Sequence, residues 1–339
     1  MIAQLSIPGA WMWSAWQPDR GMLFNSYLFQ SCEGFVAVDP LPLDDKALEW
    51  ITSHGGVHTI VITNRDHERS AAQLQERFGA RRIADPADGE EIFSGANAVR
   101  IPYGKSPEFA IHLREANAAV IGDALIGAPA GALSLLPDEK LEDPKLLLLA
   151  LRRLWALELD SLLLCDGQPI FGGADVVLAT LLESRGGAEV NRVNIDELAF
   201  EKYKDYMRFA ADEAEVGLLI GARKLGYRVA KLAPGTSFCP MHSHVVNEEF
   251  FFILDGNPSI RTLRGTIRCR PGDFIAFPTG ERGTHEVRND SGAPSAVLLV
   301  GMNEAREVCF YPDSDKVLIV SDGRLMLRSS PALGYFDGE

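Results

Sequence analysis

Long apolar runs are missing from this 339-residue chain. No stretch reaches the ~18 uninterrupted apolar residues that a membrane helix needs. The richest, Leu146 to Leu164, is broken by Arg152, Arg153, Glu158 and Asp160. No membrane partner is therefore expected. Positive charge is also scarce: 33 Lys and Arg stand against 47 Asp and Glu, a net charge of −14. Phosphate contacts need a basic face, so no nucleic-acid partner is expected. Cysteine is thinly spread. The five, Cys32, Cys165, Cys239, Cys269 and Cys309, are odd in number and form no Cys-x-x-Cys pair. That argues against a disulfide framework and for free thiols in a reducing compartment. Met1 to Trp16 holds no Lys or Arg and does not read as a secretory signal, so a cytoplasmic protein is expected. Internal repeats and low-complexity segments are lacking too.

What is present changes rhythm along the chain, and the length suits two domains. The first, residues 1–190, alternates strands and helices, an α+β pattern. Asn25 to Phe29 and Phe35 to Asp39 read as a hairpin around Glu33-Gly34. Asp44 to Ser53 reads as a helix capped by Asp44 or Asp45, and Glu68 to Phe78 as a helix ended by Gly79. Strands are expected at His58 to Thr63, Ala118 to Ile121 and Ser161 to Cys165, with helices at Pro144 to Leu157 and Asp175 to Leu182. Residues 191–215 are polar and mixed in charge, with a linker helix expected from Asp196 to Phe209. Residues 216–339 have the cadence of a small antiparallel barrel, short strands between Gly and Pro turns.

The chemistry-bearing stretch lies in that last part. His242 and His244 are two residues apart, which puts both on one face of an extended strand. Glu249 opens the next apolar strand, and parity favours it over Glu248, which is expected to face solvent. His285 follows the turns at Gly272 and Gly280. Three imidazoles and a carboxylate converging in a small barrel would make a four-ligand site for a divalent transition metal: iron, nickel, manganese, zinc or copper. These residues resemble the two motifs of the cupin superfamily. The first reads here Gly235, His242, His244, Glu249, Gly256, and the second Gly272, Pro278, Gly280, His285, Asn289. Two spacings depart from the family pattern. Six residues separate Gly235 from His242 in place of about five, and four separate Gly280 from His285 in place of two. The resemblance implies a jelly-roll β-barrel with metal ligands His242, His244, Glu249 and His285. Gly280 and Asn289 are expected to be structural.

The first part resembles the metallo-β-lactamase-fold hydrolases, in an incomplete form. The residues that carry this are Asn25-Ser26-Tyr27, Val38-Asp39-Pro40, Thr63 to His67, Gly122-Asp123 and Cys165 to Pro169. The resemblance implies an αββα sandwich. Where that family has a His-x-His-x-Asp-His block, this chain has Ile62-Thr63-Asn64-Arg65-Asp66-His67, and both early imidazoles are gone. Lys105 stands where a later His is expected, Asp123 at the bridging carboxylate and Asp166 at the final His. Asp66, His67, Lys105, Asp123 and Asp166 therefore form an expected remnant site, with Lys105, helped by Arg65, supplying the charge of the lost metal.

Together these readings point to a metal-dependent cupin protein acting on a small polar metabolite, of dioxygenase, lyase or isomerase type. The first domain would be a non-hydrolytic scaffold. Two alternatives stand beside this: a non-catalytic small-molecule binding or sensing cupin, and a hydrolase using the remnant site. Cupins commonly pair through their sheets, so a homodimer is expected.

Overall fold

The computed structural model describes residues 2–101, 108–321, 323–331, 333–334 and 336–337, with Lys204 and Asp205 described through their backbone. The chain divides into two units, Met1–Val190 and Asn191–Glu339.

The first unit holds two six-stranded sheets. One is ordered β1 (Ala3–Gln4), β2 (Ala10–Gln17), β3 (Met22–Ser31), β4 (Gly34–Val38), β5 (Val57–Val61) and β6 (Arg81–Ile83). Its first four strands are antiparallel neighbours. From β4 to β6 the pairing is parallel, and each step is bridged by a helix, α1 (Asp45–Ser53) and α2 (Ala71–Phe78), as parallel pairing requires. The second sheet contains β7 (Glu91–Phe93), β8 (Ala96–Ile101), β9 (Glu108–Leu113), β10 (Ala118–Ile121), β11 (Ser161–Leu164) and β12 (Ile170–Phe171), in that spatial order. Helix α3 (Pro144–Trp155) connects β10 to the parallel β11, and α4 (Ala174–Gly186) follows β12.

Strand period explains why β4 reads as a continuous apolar run. Val36 and Val38 join Tyr27 and Val61 with Ala98, Ile111, Val120 and Leu163 of the second sheet. Phe35 and Ala37, on the opposite face, join Ile51 of α1 and Leu74 of α2. Both faces are buried, so no polar alternation survives. The second sheet does the same: Ala119 and Ile121 pack with Leu147 and Leu151 of α3 and Leu178 of α4.

The local stop signals work as expected. Asp44 is the cap of α1, its side chain accepting the Ala47 N–H at 2.8 Å. Gly79 ends α2 with φ +67°. The segment before α2 differs from expectation: Arg65–His67 is a separate tight turn, and Arg69 takes φ +41° before the helix begins.

The second unit is built from strands, loops and short tight turns, with no α-helix among the described residues. Its elements are β13 (Glu201–Tyr206), β14 (Phe209–Glu215), β15 (Leu225–Leu232), β16 (Ser243–His244), β17 (Glu249–Asp255), β18 (Ser259–Thr262), β19 (Gly265–Arg268), β20 (Phe274–Phe277), β21 (His285–Arg288), β22 (Ser295–Met302), β23 (Glu307–Tyr311), β24 (Lys316–Val320) and β25 (Arg324–Arg328). They form sheets ordered β13-β14-β15-β22-β17-β20, β16-β23-β24-β25 and β19-β18-β21. Phe251, Ile253, Ile260, Val287, Val297 and Leu299 make the core.

The expected linker helix over Asp196 to Phe209 is not formed. Asn194 and Glu197 build a reciprocal cap, but it starts only the short turn Ile195–Glu197. Then β13 and β14 pair as a hairpin turned at Met207, φ +56°, and β14 pairs with β15. Ladder pairing, and the stacking of Tyr203 on Phe238 at 4.7 Å between centroids, outweigh a helix tendency that was only local.

Candidate metal centre and a charged cluster

Three imidazoles of the second unit converge on one carboxylate oxygen, that of Glu249. Glu249 opens β17, paired with Phe277 of β20 and Gly301 of β22. His244 lies on β16. His242 and His285 face each other in a two-residue bridge, each N–H donating to the other's carbonyl at 3.0 and 2.9 Å. The longer connection before His285 folds as a tight turn, Glu281–Gly283. Gly283 is needed there, since a Cβ would fall 1.8 Å from the Pro278 carbonyl oxygen. With the insertion absorbed this way, His285 reaches the centre.

Around Glu249 Oε2 lie His285 Nε2 at 3.2 Å, His244 Nε2 at 3.3 Å and His242 Nε2 at 4.0 Å. The outer ring nitrogens are committed elsewhere. His285 Nδ1 donates to the Gly283 carbonyl at 2.8 Å and His242 Nδ1 to the Pro240 carbonyl at 3.0 Å. His244 Nδ1 faces Glu307 Oε2 at 3.3 Å. A neutral ring that donates through Nδ1 presents its Nε2 lone pair, so in their neutral form these rings aim acceptors inward. His244 Nε2, His285 Nε2 and Glu249 Oε2 are buried and make no aligned hydrogen bond. Leaving a buried acceptor unpaired costs about 1–3 kcal/mol each, which one cation among them would remove.

The electrostatics agree. Burial raises the Glu249 carboxyl, but His244 and His285 more than reverse this and hold it well below the usual carboxylate range. Burial, then the neighbouring His285 ring, holds His242 down to about 4. For His244 burial acts downward, yet Cys309 and Glu249 push it up to about 10. The surroundings of Glu249 favour positive charge. Glu248 is exposed, and Phe277 stacks on His285 at 3.8 Å between centroids. Asn289 is fully buried and ties backbone together, donating to the Leu232 and Ala293 carbonyls.

The first unit brings only part of the expected remnant site together. His67 Nδ1 donates to Asp39 Oδ2 at 2.7 Å, and its Nε2 faces Asp123 Oδ1 at 3.2 Å and Asp166 Oδ1 at 3.9 Å. Asp66 is exposed: it faces outward from the tight turn, where its backbone N–H donates to Asn64 Oδ1. Lys105 lies outside the described residues. Arg65 is exposed, and the cation in the cluster is Arg69. Its Nη2 donates to Asp166 Oδ1 at 3.1 Å and sits 3.3 Å from His67 Nε2, while Nη1 donates to the Asn25 carbonyl at 2.8 Å. Asp39 and Arg69 join the cluster although neither is among the residues expected from the sequence. The signal for Asp39 was its position at the end of a buried strand, where it takes φ +47°, a conformation Asp tolerates.

Gly122 lets the end of β10 approach this cluster. A Cβ there would lie 2.5 Å from Thr63 Oγ1 and 2.7 Å from Asn64 Nδ2. Burial opposes the charge on His67, but Asp39 and Asp123 raise its pKa well above the ordinary value. Burial likewise pushes Asp39 up, and His67, Arg69 and Thr63 bring it below the ordinary value. Asp166 is raised to about 6, by burial and by Asp123, against His67 and Arg69.

Comparisons with known proteins come to the same two parts. No curated protein matches the chain. Among solved structures, a protein of Acidithiobacillus ferrooxidans described as a sugar phosphate isomerase is 20% identical, over 43% of this chain and 97% of that one, with a TM-score of 0.41. A sugar phosphate isomerase from a cupin superfamily, from Silicibacter pomeroyi, is 23% identical over 43% and 98%, at 0.38. A polyketide cyclase from Streptomyces resistomycificus is 22% identical over 33% and 79%, at 0.30. The model of the cupin domain family matches residues 228–301. That of the metallo-beta-lactamase superfamily matches residues 2–185, more than half of the 339. The chain belongs to the metallo-beta-lactamase superfamily and carries a cupin domain in its second half.

Proposed function

We propose that the second unit is a jelly-roll cupin barrel that holds one divalent transition metal through His242, His244, Glu249 and His285. The protein would use that metal on a small polar molecule, as an enzyme of dioxygenase, lyase or isomerase type. The observation that carries this is the convergence of three Nε2 atoms on Glu249 Oε2, at 3.2, 3.3 and 4.0 Å. The donor set is three nitrogens and one oxygen, which suits zinc, iron, nickel, manganese or copper. When bound, such a metal polarises a carbonyl or orients dioxygen. The chain's own part is to fix the rings. Gly283 and Pro240 hold two of them by their carbonyls, and Phe277 covers one face of His285 and keeps water from it.

The first unit reads as an αββα sandwich, two sheets face to face with helices outside. We read it as a scaffold without the family's metal-dependent hydrolysis. Its residues do not fit that metal site: Asn64 stands in the histidine block, Asp66 faces out, and the Arg69 guanidinium occupies the space between His67 and Asp166. A cation would have to displace a guanidinium fixed by two carboxylate and carbonyl contacts.

Elemental analysis of the purified chain should find about one transition metal per chain. Stripping it with a chelator should lower the melting temperature of the second unit. At a metal concentration of about 1,000 times Kd the lost stabilisation is about 4 kcal/mol. For a unit of this size that is about 8–16 °C. Metal-free protein with a chelator-independent melt would sink the proposal. Ligand-induced melting shifts without turnover would select the binding-module reading.

A further inference from the structure

We infer that Glu307 is the positioning residue of the candidate metal centre: it orients the His244 ring and grips the chain between His244 and Glu249, without being a ligand itself. The inference rests on the metal reading above. Glu307 opens β23, is 6% exposed, and lies 63 residues from His244. Its Oε1 accepts the backbone N–H groups of Val245 at 3.1 Å, Val246 at 3.0 Å and Val308 at 2.7 Å. Its Oε2 accepts the Asn247 N–H at 2.7 Å and faces His244 Nδ1 at 3.3 Å.

A carboxylate offers about four acceptor sites. Five donors therefore fill Glu307, and nothing is left for a cation. Its role follows from which donors they are. Three are the consecutive amides of residues 245–247, in the connection that leads from one ligand to the next. The fourth belongs to its own strand and the fifth to the ligand ring. Accepting the Nδ1–H of His244 turns that ring's Nε2 lone pair toward Glu249. Cys309 Sγ is the other neighbour of His244 Nδ1, at 3.4 Å, carried there because His244 and Cys309 pair directly across β16 and β23. An ionised carboxylate is the stronger acceptor, so Glu307 takes the proton donor. The close grouping of His244, Glu307 and Cys309 is thus an orienting arrangement and not a second metal site.

The test uses the full chain and zinc. Zinc affinity is measured by competition with a chelator, and the ring N–H resonances of the zinc-loaded protein by NMR. Glu307→Gln should weaken zinc binding 10- to 100-fold, the usual cost of an outer partner. It should move the His244 ring proton while leaving those of His242 and His285 in place. Cys309→Ala should leave zinc affinity within about twofold of wild type and the His244 ring proton still bound to a carboxylate. Unchanged affinity and resonances in Glu307→Gln overturn the inference, as does a Cys309→Ala that reproduces the loss. If Glu307→Gln does not fold, the unaltered protein decides. A His244 ring proton further downfield than the two bound to carbonyls supports a carboxylate acceptor, and one that is not overturns it. A wild-type chain that binds no zinc sinks the metal reading itself, which is a different result from zinc bound equally well without Glu307.

Discussion

Replacing His285 by Ala should abolish metal binding in the second unit, with metal content falling from about one per chain to below about a tenth. His285 Nε2 lies nearest to Glu249 Oε2, at 3.2 Å, and the ring is fully buried. Removing it leaves two imidazoles and one carboxylate, too few to close a four-ligand site. The affinity loss should exceed the 10–100-fold that an outer partner such as Glu307 supplies. Packing contributes separately. The ring stacks on Phe277 at 3.8 Å and meets Phe251 edge-on at 5.2 Å. Truncation leaves a cavity that costs about 2–4 kcal/mol. The two effects part cleanly when wild type and variant are melted with and without chelator. The packing cost appears as the difference between the two metal-free proteins. The metal contribution appears as a chelator shift that wild type shows and the variant lacks. A His285→Ala chain that keeps its metal and its chelator shift would mean that the four side chains are not the site.

How much of this could be read from the chain depends on how local each signal is. The parity of His242 and His244, and the strand opening at Glu249, are short-range features, and the structure brings those residues together with His285. Glu307 has no local signal. It is a glutamate at the head of a strand, and only the pairing of β16 with β23 gives it a partner. The first unit shows the same divide. Asp44, Gly79 and Pro144 are signals that act within one turn, and all three mark helix ends in the structure. For the charge that serves Asp166 the sequence offers Lys105 and Arg65. It comes from Arg69, because a positive φ at that residue turns it back over Phe24 and into the cluster. A left-handed residue that is not Gly, Asn or Asp cannot be anticipated from propensity. The linker helix expected over Asp196 to Phe209 failed for a related reason, since only the pairing of β13 with β14 and of β14 with β15 decides that segment, and no local signal announces it.

Arg69→Met should destabilise the first unit by about 3–5 kcal/mol at pH 8, the usual result of removing one partner from a buried ion pair. For a unit of this size that is a fall of about 6–20 °C in melting temperature. Arg69 is the only guanidinium that reaches Asp166 among the described residues, and it donates to the Asn25 carbonyl as well. The pH dependence separates the charge effect from lost packing. Asp166 is raised to about 6 in the folded chain, by burial and by Asp123, against about 3.9 when unfolded. A carboxyl with a raised folded pKa contributes stability that is fully present below about pH 4 and is lost as pH climbs through 6. Without Arg69 that pKa rises further, so more is lost on the same climb. The gap between wild type and variant should therefore be small near pH 4 and widen through pH 6 to its full value by pH 8. Hydrogen exchange of the β4 and β5 amides, followed in the intact chain at both pH values, assigns the loss to this unit. A gap that is the same at pH 4 and pH 8 would make Arg69 a packing residue. A variant as stable as wild type that has taken up a divalent cation would show that the carboxylates need positive charge there, whichever group brings it.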